Sequence, residues 1–147
     1  MEYDALKKLN IGIVSSRFNE QVVKELYDAC LNKLLMLGID KNNISHEVVP
    51  GALEIPIMLD TLARKKNFHV LIAIGAVIRG ETYHFEVVSD QSAYGLLQVQ
   101  LNRHIPIINA IITTNSDDEA YARTKVKGEE AALAAIEMAE LIKKYER

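Results

Sequence analysis

A histidine stands at the end of "AVIRGETYH", where an apolar, strand-like run breaks at Gly80 and a helical pattern begins. Imidazole takes up and returns a proton near neutrality, and the first turn of a helix favours its neutral form. His84 is therefore a candidate general acid–base, with a purely structural histidine as the plain alternative. The backbone amides of Glu81 and Thr82, just ahead of that helix, point outward unpaired and suit an anion. Every helix has such a terminus, so the amides alone are a weak signal.

Three further turns carry residues of this kind. In "SSRFNE", Phe18 falls outside the apolar periodicities on either side. Alone it reads as a staple under the next helix, and otherwise as a flat ring offered to a flat ligand. In "VPGALEIP", Gly51 lets backbone come close to a ligand. Glu54 follows at a helix start, where a carboxylate either complements the dipole or accepts from hydroxyls. In "SDDEAYARTKVKGEE", Arg123 is either one cation of a solvated cluster with Lys125 and Lys127 or a bidentate partner for phosphate.

These turns are set between alternating strand and helix patterns. Asn10–Ser16 is a short β-branched run. Val22, Val23, Leu26, Cys30, Leu34 and Leu37 then recur at helical spacing, and Gly38 closes the helix as a left-handed cap. "ISHEVVP" is a second strand and "EIPIMLDTLARKK" a second helix, with Pro56 tolerable only near its first turn. "HVLIAIGAVI" is almost continuously apolar, as in a strand covered on both faces. A long helix is expected from about Tyr83 to Arg103, then the strand "IPIINAIIT". Ser116 and Glu119 stand in capping-box spacing and predict a short helix over "SDDEAYAR" that ends at Arg123. A separate final helix begins at "GEE", with acids in its first turn and lysines in its last. The alternation predicts an α/β fold with a parallel sheet between helical layers. In open parallel sheets ligands bind beyond the carboxyl ends of the strands, which is where all four turns should gather.

Composition narrows the classes. The 147 residues suit one domain, residues 1–147, with neither a repeat nor a low-complexity linker. A net charge of -3 and scattered short basic runs argue against nucleic acid as a partner. Cys30 is the only cysteine, so a disulfide or thiolate metal site within the chain is excluded and a cytoplasmic protein is expected. No apolar run is long enough to span a membrane. "HFE" fits the H-x-E of zinc deaminases, but the partner thiolates are missing. There is also no G-x-G-x-x-G after the first strand and no G-x-S-x-G turn.

With the turns in order, "IGIVSSRFNE", "VPGALEIP", "GAVIRGETYHFEVVS" and "GEEAALAAIEMA" closely resemble the 6,7-dimethyl-8-ribityllumazine synthase family of riboflavin biosynthesis. The resemblance spans nearly the whole chain. It implies a flavodoxin-like, three-layer α/β/α sandwich around a central, mainly parallel four-stranded sheet. It also implies condensation of 5-amino-6-(D-ribitylamino)uracil with 3,4-dihydroxy-2-butanone 4-phosphate, releasing phosphate and water, with no metal and no organic cofactor. On the same basis Phe18 stacks on the pyrimidine, Ala52, Leu53 and Glu54 hold the ribityl chain, and Ala76, Val77 and Ile78 line the pyrimidine pocket. Glu81 and Thr82 offer amides to phosphate, Arg123 supplies its counter-charge, and His84 relays protons. Asn109 meets the pyrimidine of a neighbouring subunit. Many members carry phenylalanine at that position and glycine where Ala110 stands. The resemblance further implies a homo-oligomer, a pentamer at least, and association with riboflavin synthase. A non-catalytic flavin-binding module is the rival reading, and it would need neither His84 nor Arg123.

Overall fold

The computed structural model describes residues 6, 8–65 and 67–146. Strands β1 (Ile11–Ser16), β2 (Ile44–Val49), β3 (Val70–Ile78) and β4 (Ile107–Thr114) alternate with helices α1 (Glu20–Met36), α2 (Ile55–Lys65), α3 (His84–Arg103) and α4 (Asp117–Tyr145). The strands form one all-parallel sheet in the order β2-β1-β3-β4. Because β1 and β3 are interior, both are buried nearly throughout, which explains their lack of polar alternation.

The pleat sends alternate side chains to two cores. Ile11, Ile13, Ile72, Ile74 and Ile112 pack with Val22, Leu26 and Leu34 of α1 and Ala132, Ala135 and Ile136 of α4. Val14, Leu71, Ala73 and Ile111 pack with Ile55 and Leu59 of α2 and Leu96 and Val99 of α3. The result is the parallel sheet between helical layers that the pattern predicts, in the three-layer α/β/α, flavodoxin-like form that the resemblance implies. Cys30 lies wholly inside the first core, and burial pushes its thiol up to about 12. Gly38 takes the expected left-handed backbone, at φ 105°, after α1.

The predicted break after Arg123 is absent. Residues Asp117–Tyr145 form one helix of 29 residues, and Arg123 lies within it rather than at an end. Ser116 does cap it, accepting from the Glu119 N–H at 3.2 Å, while Glu119 reaches back to the Asn115 N–H at 2.9 Å. Gly128, read from sequence as part of a start signal, sits where α4 meets α1. A Cβ there would lie 2.7 Å from both the Ala29 Cβ and the Leu26 carbonyl oxygen. The glycine is a close-approach residue, and Lys127 pairs with Glu130 at 3.5 Å along the same helix.

At the opposite end of the sheet, the starts of β1 and β3 are tied reciprocally. The His69 N–H donates to the Asn10 carbonyl at 2.8 Å, and the Asn10 N–H donates to His69 Nδ1 at 2.9 Å. Nδ1 accepts only when unprotonated, and burial, followed by Lys143, holds the His69 pKa below its ordinary value. This contribution to stability is complete above the unfolded value of about 6.5 and is lost as pH falls from there through the folded value. The melting temperature is expected to drop between pH 7 and 5, and by less in His69→Phe. Equal pH slopes in both proteins would rule the tie out as a source.

Candidate active site

Each turn at the carboxyl edge of the sheet is fastened to the next. Beyond β1, the Arg17 and Phe18 N–H groups donate to the Val49 and Pro50 carbonyls at 2.9 and 3.1 Å, which locks this turn against the one after β2. Phe18 is left 70% exposed, so it is no staple under α1. Asn19, at φ 61° in the left-handed region that asparagine tolerates, donates from its side chain to the Ala76 carbonyl at 2.9 Å. That bond draws the Phe18 turn over the end of β3.

Beyond β2, Ala52–Glu54 form a single 3-10 turn that runs into α2, so Glu54 precedes the α-helix proper. Gly51 leaves room for the carboxylate, since a Cβ there would lie 3.1 Å from Glu54 Oε1. Beyond β3, the Thr82 hydroxyl accepts from the His84 N–H at 3.3 Å. The Glu81 and Thr82 amides make no hydrogen bond among the described residues, as the sequence reading requires of an anion site.

Together these turns enclose a cleft of about 490 Å³. Its lining includes Phe18, Ala52, Leu53, Glu54, Ala76, Val77, Ile78, Thr82 and His84, all of them candidates from sequence, along with Asn19, Phe85 and Val88, which were not. Glu81 lies in the same turn as Thr82 but does not line the cleft. The cleft thus offers an exposed aromatic face, a carboxylate with no partner among the described residues, an imidazole and the free Thr82 amide within a volume that suits small molecules. A larger groove of about 700 Å³, which includes Leu6, Leu37, Leu133 and Ile136, has no imidazole or hydroxyl among the described residues of its lining.

Besides Glu81, two candidates are not in this cleft. Asn109 and Arg123 line a separate one of about 440 Å³, formed between β4 and α4, together with Lys127 and Glu130. The two clefts share no lining residue. Asn109 Oδ1 accepts from the Ile111 N–H at 2.9 Å, and Arg123 donates from one guanidinium nitrogen to the Glu119 carbonyl at 2.8 Å. At the neighbouring end of β4, Gln100 Oε1 accepts from the Ile107 N–H at 2.8 Å.

Sequence reasoning also passed over Arg79. Its Nε donates to Asn115 Oδ1 at 2.8 Å and its NH1 to Glu86 Oε2 at 2.5 Å, and the guanidinium carbon lies 4.3 Å from the Phe85 ring centre. The Arg79 hydrogen bond holds the Glu86 carboxyl below the usual carboxylate range. A charged residue directly after a buried strand and an acid seven positions on were the available signals.

The family model described as 6,7-dimethyl-8-ribityllumazine synthase matches residues 8–143. Curated proteins of that name are similar along most of their length. The one from Nitrosospira multiformis is 56% identical over 133 residues, covering 90% of this chain and 83% of the relative. That from Methylobacillus flagellatus is 53% identical over 137 residues, covering 93% and 92%. That from Acidovorax ebreus is 50% identical over 136 residues, covering 92% and 88%. A match of this extent, on a chain whose strand-edge turns close around one cleft, makes it a member of the 6,7-dimethyl-8-ribityllumazine synthase family.

Proposed function

We propose that the cleft around Phe18, Glu54 and His84 condenses 5-amino-6-(D-ribitylamino)uracil with 3,4-dihydroxy-2-butanone 4-phosphate to give 6,7-dimethyl-8-ribityllumazine. The observation that carries this is the convergence of an aromatic face, a carboxylate and an imidazole in one small cleft, with the unpaired amides of Glu81 and Thr82 in the turn at its border. Phe18 stacks on the pyrimidine, held to its ring by offset aromatic contact. Glu54 accepts from ribityl hydroxyls, with the Ala52 and Leu53 backbone alongside. Ala76, Val77 and Ile78 wall the ring, and Glu81 and Thr82 bind the phosphate through their amides.

The 5-amino group attacks the ketone, and water leaves to form an imine. A proton is lost beside it as phosphate departs, the ribitylamino nitrogen closes the ring, and a second water is lost. No electrons are exchanged with an outside carrier. His84 stands in the turn next to the phosphate amides, where an imidazole can relay the protons of imine formation and elimination. Alignment of the two reactants supplies much of the acceleration, so the imidazole adds to a rate that positioning has already raised.

The site is completed by a second copy of the chain. Support comes from the separation of Asn109 and Arg123 from the main cleft, and from α3, where Tyr94, Leu97 and Leu101 stand exposed at helical spacing. A single domain assembling as a homo-oligomer, a pentamer at least, in the cytoplasm and in association with riboflavin synthase fits this reading.

Lumazine formation from the two substrates, followed against the spontaneous reaction, tests it. The protein should accelerate the reaction, and His84→Ala should lower kcat by roughly 10- to 100-fold while leaving turnover measurable. Riboflavin or lumazine binding by a folded protein that gives no acceleration would favour the flavin-binding module instead.

A further inference from the structure

We propose that Arg79 is a positioning residue that sets the phosphate-binding turn, by clamping Glu86 and Phe85 at the start of α3 to Asn115 at the turn before α4. The inference rests on the synthase reading and deepens it.

The turn from Gly80 to Tyr83 has little to hold it. Apart from the Thr82 hydroxyl at 3.3 Å from the His84 N–H, its residues make no side-chain hydrogen bond among the described residues, and Gly80 has nothing within 4 Å of a would-be Cβ. Its two ends must therefore be fixed from outside. Arg79 does this on the strand side through its backbone, donating to the Thr114 carbonyl at 2.9 Å, and on the helix side through its side chain. One planar guanidinium reaches Glu86, Asn115 and the face of Phe85 together. A lysine ammonium has neither the fork nor the flat face to satisfy all three.

The clamp also extends toward the other cleft. Asn115, which accepts from Arg79, donates its N–H to the Glu119 side chain, and the Glu119 carbonyl accepts from Arg123. Three hydrogen bonds, linked through the covalent frames of Asn115 and Glu119, thus connect Arg79, at the head of the turn that leads to His84, with the guanidinium at the second cleft. Because the amides that would meet phosphate lie between Arg79 and Glu86 in sequence, loosening the clamp moves them and leaves Phe18 and Glu54 untouched.

The test measures kcat and both Michaelis constants for Arg79→Ala, Arg79→Lys, Glu86→Gln and Asn115→Ala. Arg79→Ala should raise KM for the butanone phosphate about tenfold, the size expected for loss of charge-assisted hydrogen bonds, with the pyrimidine KM held within about twofold. Glu86→Gln and Asn115→Ala should shift the same constant by less, and Arg79→Ala/Glu86→Gln should be no worse than Arg79→Ala alone. Full rescue by Arg79→Lys would mean that charge alone matters and would overturn the assignment, as would equal increases in both KM values. Calorimetric titration with inorganic phosphate decides the point without turnover. Weaker binding by Arg79→Ala supports the clamp, whereas equal affinity, or no binding by the parent, overturns it. If the parent fails to make lumazine, the synthase reading falls while this titration still judges Arg79.

Discussion

Arg123→Ala is expected to raise the Michaelis constant for the butanone phosphate by roughly 10- to 100-fold, with a much smaller change for the pyrimidine. The guanidinium is already held by one donation to the Glu119 carbonyl, so it is preorganised, and its remaining N–H donors, which have no partner among the described residues, can form a fork on phosphate oxygens. Arg123→Lys should recover part of the loss, since an ammonium keeps the charge but not the paired geometry. Under the proposed assembly this arginine serves the cleft of a neighbouring copy, because its own cleft lacks Phe18, Glu54 and His84. Initial rates with each substrate varied at saturating concentrations of the other provide the check. An unchanged KM for the phosphate substrate would remove Arg123 from the site.

The second large effect is on stability. Gly128→Ala should destabilise the fold by about 2 kcal/mol, the overpacking penalty outweighing the gain in helix propensity. The colliding atoms are the reason. The Leu26 carbonyl oxygen at 2.7 Å and the Cys30 nitrogen at 3.1 Å belong to the α1 backbone and cannot rotate aside. A fall in melting temperature of about 4–8 °C is the expected reading. Gly80→Ala, where a Cβ meets nothing within 4 Å, is the matched control. A melting temperature that stays level or rises in Gly128→Ala would show that α1 and α4 can separate at little cost.

The same glycine explains where sequence reading went astray. A glycine inside a helical pattern, preceded by lysines and followed by two glutamates, has the local marks of a new helix start. What keeps α4 continuous is the surface of α1, which is about a hundred residues away and leaves no local trace. The order of the elements was legible because it rests on periodicity: β1 and β3 read as apolar runs since both are interior strands. Gly38 was legible because a left-handed cap is a local requirement. Phe18 and His84 stood out because aromatic and imidazole groups broke the pattern at strand ends. Asn19 and Arg79 did not, because each acts through a partner far along the chain, Ala76 of β3 for the one and Asn115 for the other. The division of the candidates between two clefts was likewise beyond the sequence, which could say that Asn109 lies on a strand but not that the strand is at the sheet's edge.

That edge has a bearing on what can occupy it. An open β-strand normally offers a row of backbone donors, which another extended chain can match rung for rung. On β4 two of those rungs, at Ile107 and Ile111, are already filled by Gln100 and Asn109 of the same molecule. An incoming strand would find the ladder interrupted and would have to displace those side chains. Crowded copies of the protein therefore meet a broken template here, with fewer open rungs from which a fibre could be seeded. What the interrupted edge can still receive is a partner that touches it at a few separate points rather than along a continuous ladder.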